Sequence, residues 1–343
     1  MPSTPRIPLL LGLPLMLAVG TLLPLQGRIN GALAVELNDA VTASLVSFTT
    51  GLVVMLLVTV LLPRGRAGIR NVLPALRERR FPRWYVLAGM SGAFFVLMQA
   101  TTIGPLGVAV FTVAVVTGQS LSGLVVDRIG VGPGGRRRIN VARVAGALLT
   151  LAAVVIALSP RINAEAEPAQ LILLVLLPML AGLFSSLQHA VNGTAAVAYG
   201  TPITATTLNF LVGGTALALI WTVQTLAGGA SGELPSEWWY YIGGPLGAVF
   251  VGLTTLLVRS MGVLLVSLGM IAGQLLGSLA LDIVAPTAGT VIAPATIAGT
   301  VLTLAAVVLA TLPWPRRRPK RQPERQPEPV RQPTPAAQES PRR

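Results

Sequence analysis

The chain is a succession of apolar stretches separated by short polar or basic segments. A helix that crosses the hydrocarbon of a bilayer needs roughly 20 mostly apolar residues. Charged residues make up only 11% of the chain, whereas soluble domains carry about 25%. We therefore predict an all-α integral membrane protein with about ten transmembrane helices, at 7–26, 41–62, 84–103, 106–126, 141–158, 170–190, 203–226, 239–258, 262–284 and 288–312.

The residue types present exclude several classes of function. The chain has no cysteine and a single histidine, His189, so we expect no disulfide, no metal site and no cofactor. It lacks the His-Glu-x-x-His, Gly-x-Ser-x-Gly and phosphate-loop motifs, so we predict that it is not an enzyme. The formal net charge of +13 lies in loops and a tail and is typical of membrane orientation, so we expect no nucleic-acid partner.

The distribution of charge predicts how the chain is oriented. If the amino terminus is cytoplasmic, ten spans place all but two of the 25 Lys and Arg residues, Arg28 and Arg161, on the cytoplasmic side. The outer loops instead receive acidic residues, namely Glu36, Asp39, Glu165, Glu167, Glu233 and Glu237. A single lysine among these 25 residues favours a GC-rich bacterial genome. We therefore predict a multi-pass protein of the bacterial plasma membrane with both termini in the cytoplasm.

The carboxy-terminal segment 313–343 has a different composition, rich in Pro, Gln and Arg. Such a segment cannot bury an apolar core, so we predict that it is a disordered cytoplasmic tail. Its basic cluster, Arg316-Arg317-Arg318 with Lys320-Arg321, follows the last predicted helix. We expect this cluster and the basic loops to contact anionic lipid headgroups.

The two halves of the chain resemble each other. Leu25-Gln26-Gly27-Arg28-Ile29-Asn30-Gly31 is matched by Leu187-Gln188-His189-Ala190-Val191-Asn192-Gly193, and at the same spacing Phe48 and Gly51 are matched by Phe210 and Gly213. A second constant spacing relates Trp84, Gly89, Gly92, Gly107, Gly118, Gln119 and Asp127 to Trp239, Gly244, Gly247, Gly262, Gly273, Gln274 and Asp282. Repetition of these polar residues in one order indicates an internal duplication.

The duplication predicts an inverted architecture. Each half, 1–160 and 161–312, holds five predicted spans, and an odd number makes consecutive halves enter the membrane from opposite sides. Inverted repeats of this kind are typical of secondary transporters, whose substrates bind between the repeats. Because one chain supplies both halves, either a monomer or a homodimer is compatible with the sequence.

A further resemblance, to a known family, is carried by Gln26, Asn30, Phe48, Gly51, Trp84, Gly89, Gly92, Gly104-Pro105-Leu106-Gly107, Gly118-Gln119, Asp127, Arg143 and Gly146. On these residues, each half resembles the YdcZ-like family of inner-membrane exporters, in the drug/metabolite transporter (DMT) superfamily. The resemblance covers about 20–155 and 182–300, and implies an EamA/DMT-like fold made of a fused duplicate of a five-helix unit, with export of a small molecule. The second half lacks the Arg136-Arg137-Arg138 loop and has Thr296 in place of Arg143, as its opposite orientation requires.

Polar side chains inside the predicted spans are the candidates for a substrate site, because they are costly in lipid and face other helices or a cavity. Gln119 and Gln274 either join helices by hydrogen bonds or bind substrate as a symmetric pair. Gln26 with Asn30, and Gln188 with Asn192, share a helix face at the predicted helix ends, where they either cap the helix or bind substrate. His189 matches Gly27 and is expected in a loop. The predicted helix-packing glycines are Gly118, Gly273, Gly89, Gly92, Gly244 and Gly247.

Two acidic residues near span ends are candidates for coupling to protons. Asp282 has no basic neighbour in sequence, and burial of such a carboxyl group favours its proton-carrying form. Asp282 is therefore either a proton-coupling residue or an acid at the outer interface. Asp127 lies beside Arg128, which favours a structural ion pair or a cap.

The sequence leaves two functions open. The first is a secondary transporter that exports a small metabolite or drug-like molecule by alternating access of the two repeats. The second is a membrane scaffold or assembly partner without transport. The polar positions duplicated inside the spans favour the transporter, because a transporter needs a ligand site shared by two interconverting states.

Overall fold

The computed structural model describes residues 9–131, 135–136, 139–162, 168–229, 232–261 and 263–311. The predictions for Arg6, Arg137, Arg138, Glu165, Glu167 and the tail 313–343 concern residues outside this part, as does the side chain of Arg259. The described residues form twelve α-helices and two short 3-10 helices, Arg83–Leu87 and Trp238–Tyr241. The helices are α1 (Leu9–Gly20), α2 (Leu22–Glu36), α3 (Ala40–Leu61), α4 (Pro63–Arg77), α5 (Ala88–Leu106), α6 (Val108–Ile129), α7 (Val141–Ile162), α8 (Pro168–Tyr199), α9 (Pro202–Leu226), α10 (Gly243–Met261), α11 (Val263–Val284) and α12 (Pro294–Thr311).

The predicted class, an all-helical membrane protein, is confirmed for the described part of the chain, where nine helical segments are long and apolar enough to cross a bilayer. The tenth predicted span, 239–258, corresponds to α10, whose apolar stretch Gly243–Thr254 is shorter, so the number of ten is not confirmed. The first and sixth spans extend well beyond the predicted ends, to Glu36 and Tyr199. Glycine, asparagine and glutamine interrupt hydropathy there, but they do not interrupt a helix whose neighbours contact them.

A helix that the sequence did not predict, α4, follows the second span. All four of its arginines and two exposed apolar side chains, Ile69 and Leu73, lie outside the bundle core. Gly65, Gly68 and Ala75 form its buried face. This segment was expected to be a basic loop. Its apolar residues recur at helical spacing, a signal that the density of arginine obscured.

The bundle has two ends of opposite charge. We call the end that carries Arg64, Arg66, Arg70 and Arg77 of α4 the basic end; α3 finishes there and α9 begins there. The other end, which carries Glu36, Asp39, Glu233 and Glu237 between helices, is the acidic end. At the acidic end the hydroxyl of Tyr240 donates to Glu36 at 3.5 Å, and burial together with this carboxylate raises the pKa of Tyr240.

Helices of one half cross helices of the other half at equivalent positions. Gly118 of α6 lies against the backbone carbonyl of Met179, and its equivalent Gly273 of α11 lies against that of Leu17. Gly146 lies against the carbonyl of Ala306, and Gly299 against that of Ala153. In lipid, helices associate through close packing of this kind, which small residues permit.

The same reciprocity holds at the centre of the bundle. The Phe48 ring lies on Gly213, the Phe210 ring lies on Gly51, and the two ring centroids are 5.2 Å apart. These two contacts exchange when the halves are exchanged. They therefore lie close to a pseudo-two-fold axis, the arrangement that the inverted repeat predicts.

All six predicted packing glycines lie at helix crossings. Gly89 and Gly244 are equivalent, and they lie against the backbone carbonyls of Asn209 and Ser47, which are themselves equivalent. Gly92 and Gly247 lie against the amides of Gln188 and Gln26. A side chain at Gly89 or Gly244 would separate helices that now touch through backbone atoms, and one at Gly92 or Gly247 would displace a glutamine amide.

The outer surface of the bundle is apolar along its helices. Leu57, Leu219 and Val301 are each more than half exposed, although each lies within a membrane-spanning helix. In water such a surface would associate with itself. In a bilayer it contacts lipid chains, so its exposure carries no cost.

We predict that Gly244→Leu destabilises the protein by about 1–3 kcal/mol or more, because any Cβ atom at this position overlaps the Ser47 carbonyl oxygen. The measurement is the thermal unfolding midpoint of the purified protein in detergent. Gly252→Leu on the same helix is the control, since a Cβ atom there meets no atom within 4 Å. Equal midpoints for the two variants would contradict the crossing.

Candidate functional site

A cavity of about 310 Å³ lies between the two halves, near the Phe48–Phe210 pair. Helices α2, α3 and α5 of the first half and α8, α9 and α10 of the second half form its walls. Both halves thus contribute three helices each to one space. We call it the central cavity.

One wall of the central cavity is polar. Gln188, His189 and Asn192 reach it from α8, and Asn209 reaches it from α9. The His189 ring is 3.2 Å from the Ser185 hydroxyl. Among the described residues, no hydrogen bond engages the side-chain amides of Gln188, Asn192 or Asn209. These three amides are therefore available to a molecule in the cavity, each with both donors and acceptors.

The other walls are apolar and largely aromatic. Four phenylalanines face the cavity, Phe48, Phe95, Phe210 and Phe250. Every described residue that lines the cavity is formally uncharged at neutral pH if His189 is neutral, and no Asp, Glu, Lys or Arg belongs to the lining. The site can therefore offer hydrogen bonds and apolar contacts, but no ion pair.

A second and larger cavity, of about 670 Å³, adjoins the first and shares Pro202, Thr206 and Val251 with it. We call it the vestibule. Apolar residues of α3 and α10, including Val54, Met55 and Val249, form most of its wall. It leads from the central cavity toward the basic end, where Arg64 lies at its margin. The three shared residues make the two cavities direct neighbours within the bundle.

The two predicted amide pairs occupy different environments. Gln188 and Asn192 line the central cavity, whereas Gln26 and Asn30 are buried among packed helices and do not belong to its lining. The Asn30 amide donates to the Gln99 Oε1 atom at 3.1 Å. The prediction that these pairs lie at helix ends was wrong, because α2 continues to Glu36 and α8 to Tyr199.

The other predicted pair, Gln119 and Gln274, lies away from the central cavity. Gln274 is buried, and its backbone follows Gly273 at the crossing of α11 with α1. Gln119 occupies the equivalent crossing of α6 with α8. Neither residue belongs to the described lining of the central cavity or the vestibule, so this geometry favours a role between helices.

Asp282 joins the two halves at the acidic end. The backbone N–H groups of Val108 and Ala109 donate to its two carboxylate oxygens at 2.9 and 2.8 Å, and the Thr290 hydroxyl donates at 3.3 Å. Asp282 of one half thus caps the amino terminus of α6 in the other half, where the helix dipole is positive. The preceding residue, Gly107, has a φ of +80°, a conformation that favours glycine.

The equivalent acid, Asp127, is held differently. It forms an ion pair with Arg143 of α7, a residue of its own half that the second half replaces with Thr296. The sequence pointed to Arg128 as the neighbour. The helical turn instead directs Asp127 toward α7, and sequence proximity does not reveal that contact.

Sequence reasoning missed four residues of the central cavity. His189 was expected in a loop and is in fact inside α8, facing the cavity. Asn209 is the equivalent of Ser47 at the same repeat spacing as Phe210 and Phe48, so extending the alignment by one residue would have identified it. Phe95 and Phe250 are equivalent in the same sense, and their apolar character concealed them among the core residues.

We predict that Asp282→Asn destabilises the protein by about 1–3 kcal/mol, because an amide places donor hydrogens against an N–H donor of α6. Asp127→Asn is the matched control. It removes a partly exposed ion pair and should cost at most about 1 kcal/mol. Thermal unfolding midpoints of the two purified variants decide the matter. A smaller loss in Asp282→Asn than in Asp127→Asn would mean that the cap contributes little.

Comparisons with known proteins agree with this architecture. A family model described as "Putative inner membrane exporter, YdcZ" matches residues 11–156 and, a second time, residues 173–309. A solved structure described as "Crystal structure of protein" is similar over 88% of this chain and 95% of that chain, with a TM-score of 0.50 and 19% identity. That likeness concerns the fold alone. No curated protein matches the chain significantly.

The family model matches once in each half, and the two matches together cover most of the chain. The helices they cover are those that cross reciprocally around the central cavity. The chain therefore belongs to the YdcZ family of DMT-type inner-membrane exporters.

Proposed function

We propose that this protein is a secondary transporter that exports a small metabolite or drug-like molecule across the bacterial plasma membrane. Its central cavity binds the molecule, and the two halves alternate between states open to opposite sides. Family membership supports export as the general function. The single observation that carries the mechanism is a difference between equivalent positions of the two halves.

That difference concerns the helix pairs α3–α10 and α9–α5, which exchange under the pseudo-symmetry. Met55, Ala248 and Val251 of the first pair line the vestibule. Their equivalents Leu217, Ala93 and Val96 pack together in one buried apolar cluster around Phe48. The same set of positions thus borders a cavity toward the basic end and packs in a closed cluster toward the acidic end, although Met55 and Ala248 are themselves buried.

The acidic end is also closed by contacts between the halves. Besides the Asp282 cap, the Gly289 N–H donates to the Gly104 carbonyl at 3.0 Å, and the Thr287 hydroxyl donates to the Ile103 carbonyl at 3.3 Å. From α2, Arg28 donates to the Ala285 carbonyl at 3.0 Å.

We infer that the basic end is cytoplasmic, with both termini there, because basic segments remain on the cytoplasmic side. The conformation described here is then open to the cytoplasm, the state in which an exporter loads. Exchange of the two half conformations would open the Leu217–Ala93–Val96 cluster outward and close the vestibule. A substrate drives this exchange only if it binds the two states with different affinity.

Three further points belong to the proposal. The halves 1–160 and 161–312 act as the two moving repeats. A single chain encloses the cavity, so a monomer suffices for transport, although a homodimer is compatible.

Proton coupling through Asp282 stays a hypothesis, and both oxygens of its carboxylate already accept hydrogen bonds from backbone N–H groups. It would be abandoned if Asp282→Asn vesicles kept full dependence on a proton gradient. Contact of the basic loops with anionic lipid also stays a prediction.

We predict that Val251→Cys reacts with a membrane-impermeant maleimide from the cytoplasmic side at least about tenfold faster than its equivalent Val96→Cys reacts from outside, because thiol reactivity follows exposure. Inverted vesicles and intact cells present the two sides. The chain has no cysteine of its own, so each variant carries one thiol and the unmodified chain is the blank. Both substitutions remove similar volume from equivalent positions.

The outcomes separate the two candidate functions. Slow labelling of Val96→Cys from outside, increased by conditions that drive transport, supports alternating access. Labelling of both positions from their respective sides at equal rates would indicate an open pore. Protection of both positions under every condition would favour the scaffold without transport.

A further inference from the structure

We propose that the central cavity and the vestibule together bind an uncharged amphiphile. Its hydrogen-bonding head lies among Gln188, Asn192 and Asn209, and its apolar tail lies in the vestibule, which opens sideways between α3 and α10 to the cytoplasmic leaflet. This inference rests on the proposed transport function and names its substrate class. It follows from three observations, namely the charge of the lining, the distribution of its polar groups and the position of the opening.

The charge of the lining excludes a dedicated site for an ion. No Asp, Glu, Lys or Arg lines the central cavity in the described chain, and Arg64 lies only at the far margin of the vestibule. A charge carried into a cavity within the membrane loses hydration and needs a partner of opposite charge to compensate. The central cavity offers none, so a molecule without net charge fits it best.

The polar groups of the lining are concentrated on one side. The three free amides lie on α8 and α9, and the phenylalanine rings of α3, α5 and α10 face them. Amides that are left unpaired against a bound apolar body would cost about 1–3 kcal/mol each, so the bound molecule must offer donors and acceptors on that side. A flat apolar or aromatic body suits the phenylalanine walls.

The vestibule supplies the space for a tail and the route by which it enters. Its wall is apolar along α3 and α10. At its rim, Val249 is 46% exposed and Leu62 is 45% exposed. Because both helices lie in the membrane, the part of the opening between them faces lipid hydrocarbon, while the margin at Arg64 faces the cytoplasm in the orientation proposed above. A molecule that partitions into the cytoplasmic leaflet therefore reaches the amides without passing a charged surface.

The first arm of the test varies charge among probes that each have one benzene ring and one hexyl chain. Purified full-length protein in nanodiscs is titrated with N-hexylbenzamide, N-hexylbenzylammonium and 4-hexylbenzoate, and the thermal unfolding midpoint is recorded. We expect half-saturation by the neutral probe at concentrations at least about tenfold lower than by either ion, roughly 1.4 kcal/mol. Asn209→Ala should abolish the difference. Equal or tighter binding of the cation would overturn the uncharged assignment and favour contact with the phenylalanine faces.

The second arm locates the tail. In the unmodified protein, N-hexylbenzamide should bind more tightly than N-methylbenzamide at equal concentration in the bilayer. Gly252→Phe fills the vestibule at a position where an added Cβ atom meets nothing within 4 Å, and it should remove this gain while N-methylbenzamide still binds. Leu219→Phe, on a lipid-facing site that is 64% exposed, is the control and should retain the gain. A gain that survives Gly252→Phe would overturn the placement of the tail.

The cysteine measurements keep this inference separate from the transport proposal, because they use no ligand. Alternating labelling of Val251→Cys and Val96→Cys, together with no preference for the neutral probe, would overturn the substrate class and leave transport intact. Absence of alternating labelling would instead remove the premise on which the substrate class rests.

Discussion

Close contact between helix backbones across the two halves is the interaction on which the rest of this structure depends. In lipid there is little hydrophobic gain when apolar helices associate, so packing and local hydrogen bonds hold them together. Gly118 and Gly273, which lie against backbone carbonyls of the opposite half, bring helices to a distance at which such packing is effective. Because each contact has an equivalent, the two halves are held around one axis. The vestibule lies where the contacts of one set, those of α3 with α10, extend over only part of the helix length.

Much of this arrangement could be predicted from the sequence, because a duplicated glycine marks a duplicated contact. The predicted glycines all lie at crossings, and the Phe48 and Phe210 equivalence places two rings near the axis. The polar candidates were harder to assign. Gln26 and Gln188 are equivalent in sequence, yet only Gln188 lines the cavity. The repeat specifies which positions correspond, but it does not specify which of two equivalent positions is open in a given state.

The partner of Asp282 could not be predicted for a different physical reason. Its hydrogen-bond donors from the other half are the backbone N–H groups of Val108 and Ala109, and every residue except proline carries such a group. These two N–H groups are available because the turn at Gly107 exposes the first N–H groups of α6 to the other half, and that geometry is not written in the residue types. Asp127 has the same place in the repeat, but an arginine side chain on a neighbouring helix engages it. Equivalent acids therefore acquired different partners while the helices around them stayed equivalent.

This difference between Asp282 and Asp127 has a consequence for the energetics of the fused chain. Consider an assembly of two identical five-helix units related by a two-fold axis. The conformation described here and the one obtained by exchanging the conformations of the two units would then have equal free energy, so neither would be favoured at rest. A covalent duplicate allows that degeneracy to be removed, since a substitution in one half changes the free energies of the two exchanged states by different amounts. An imbalance of about 1.4 kcal/mol already populates one state tenfold over the other. If the protein works by the alternating access proposed above, divergence of the halves sets which side of the membrane the empty protein faces.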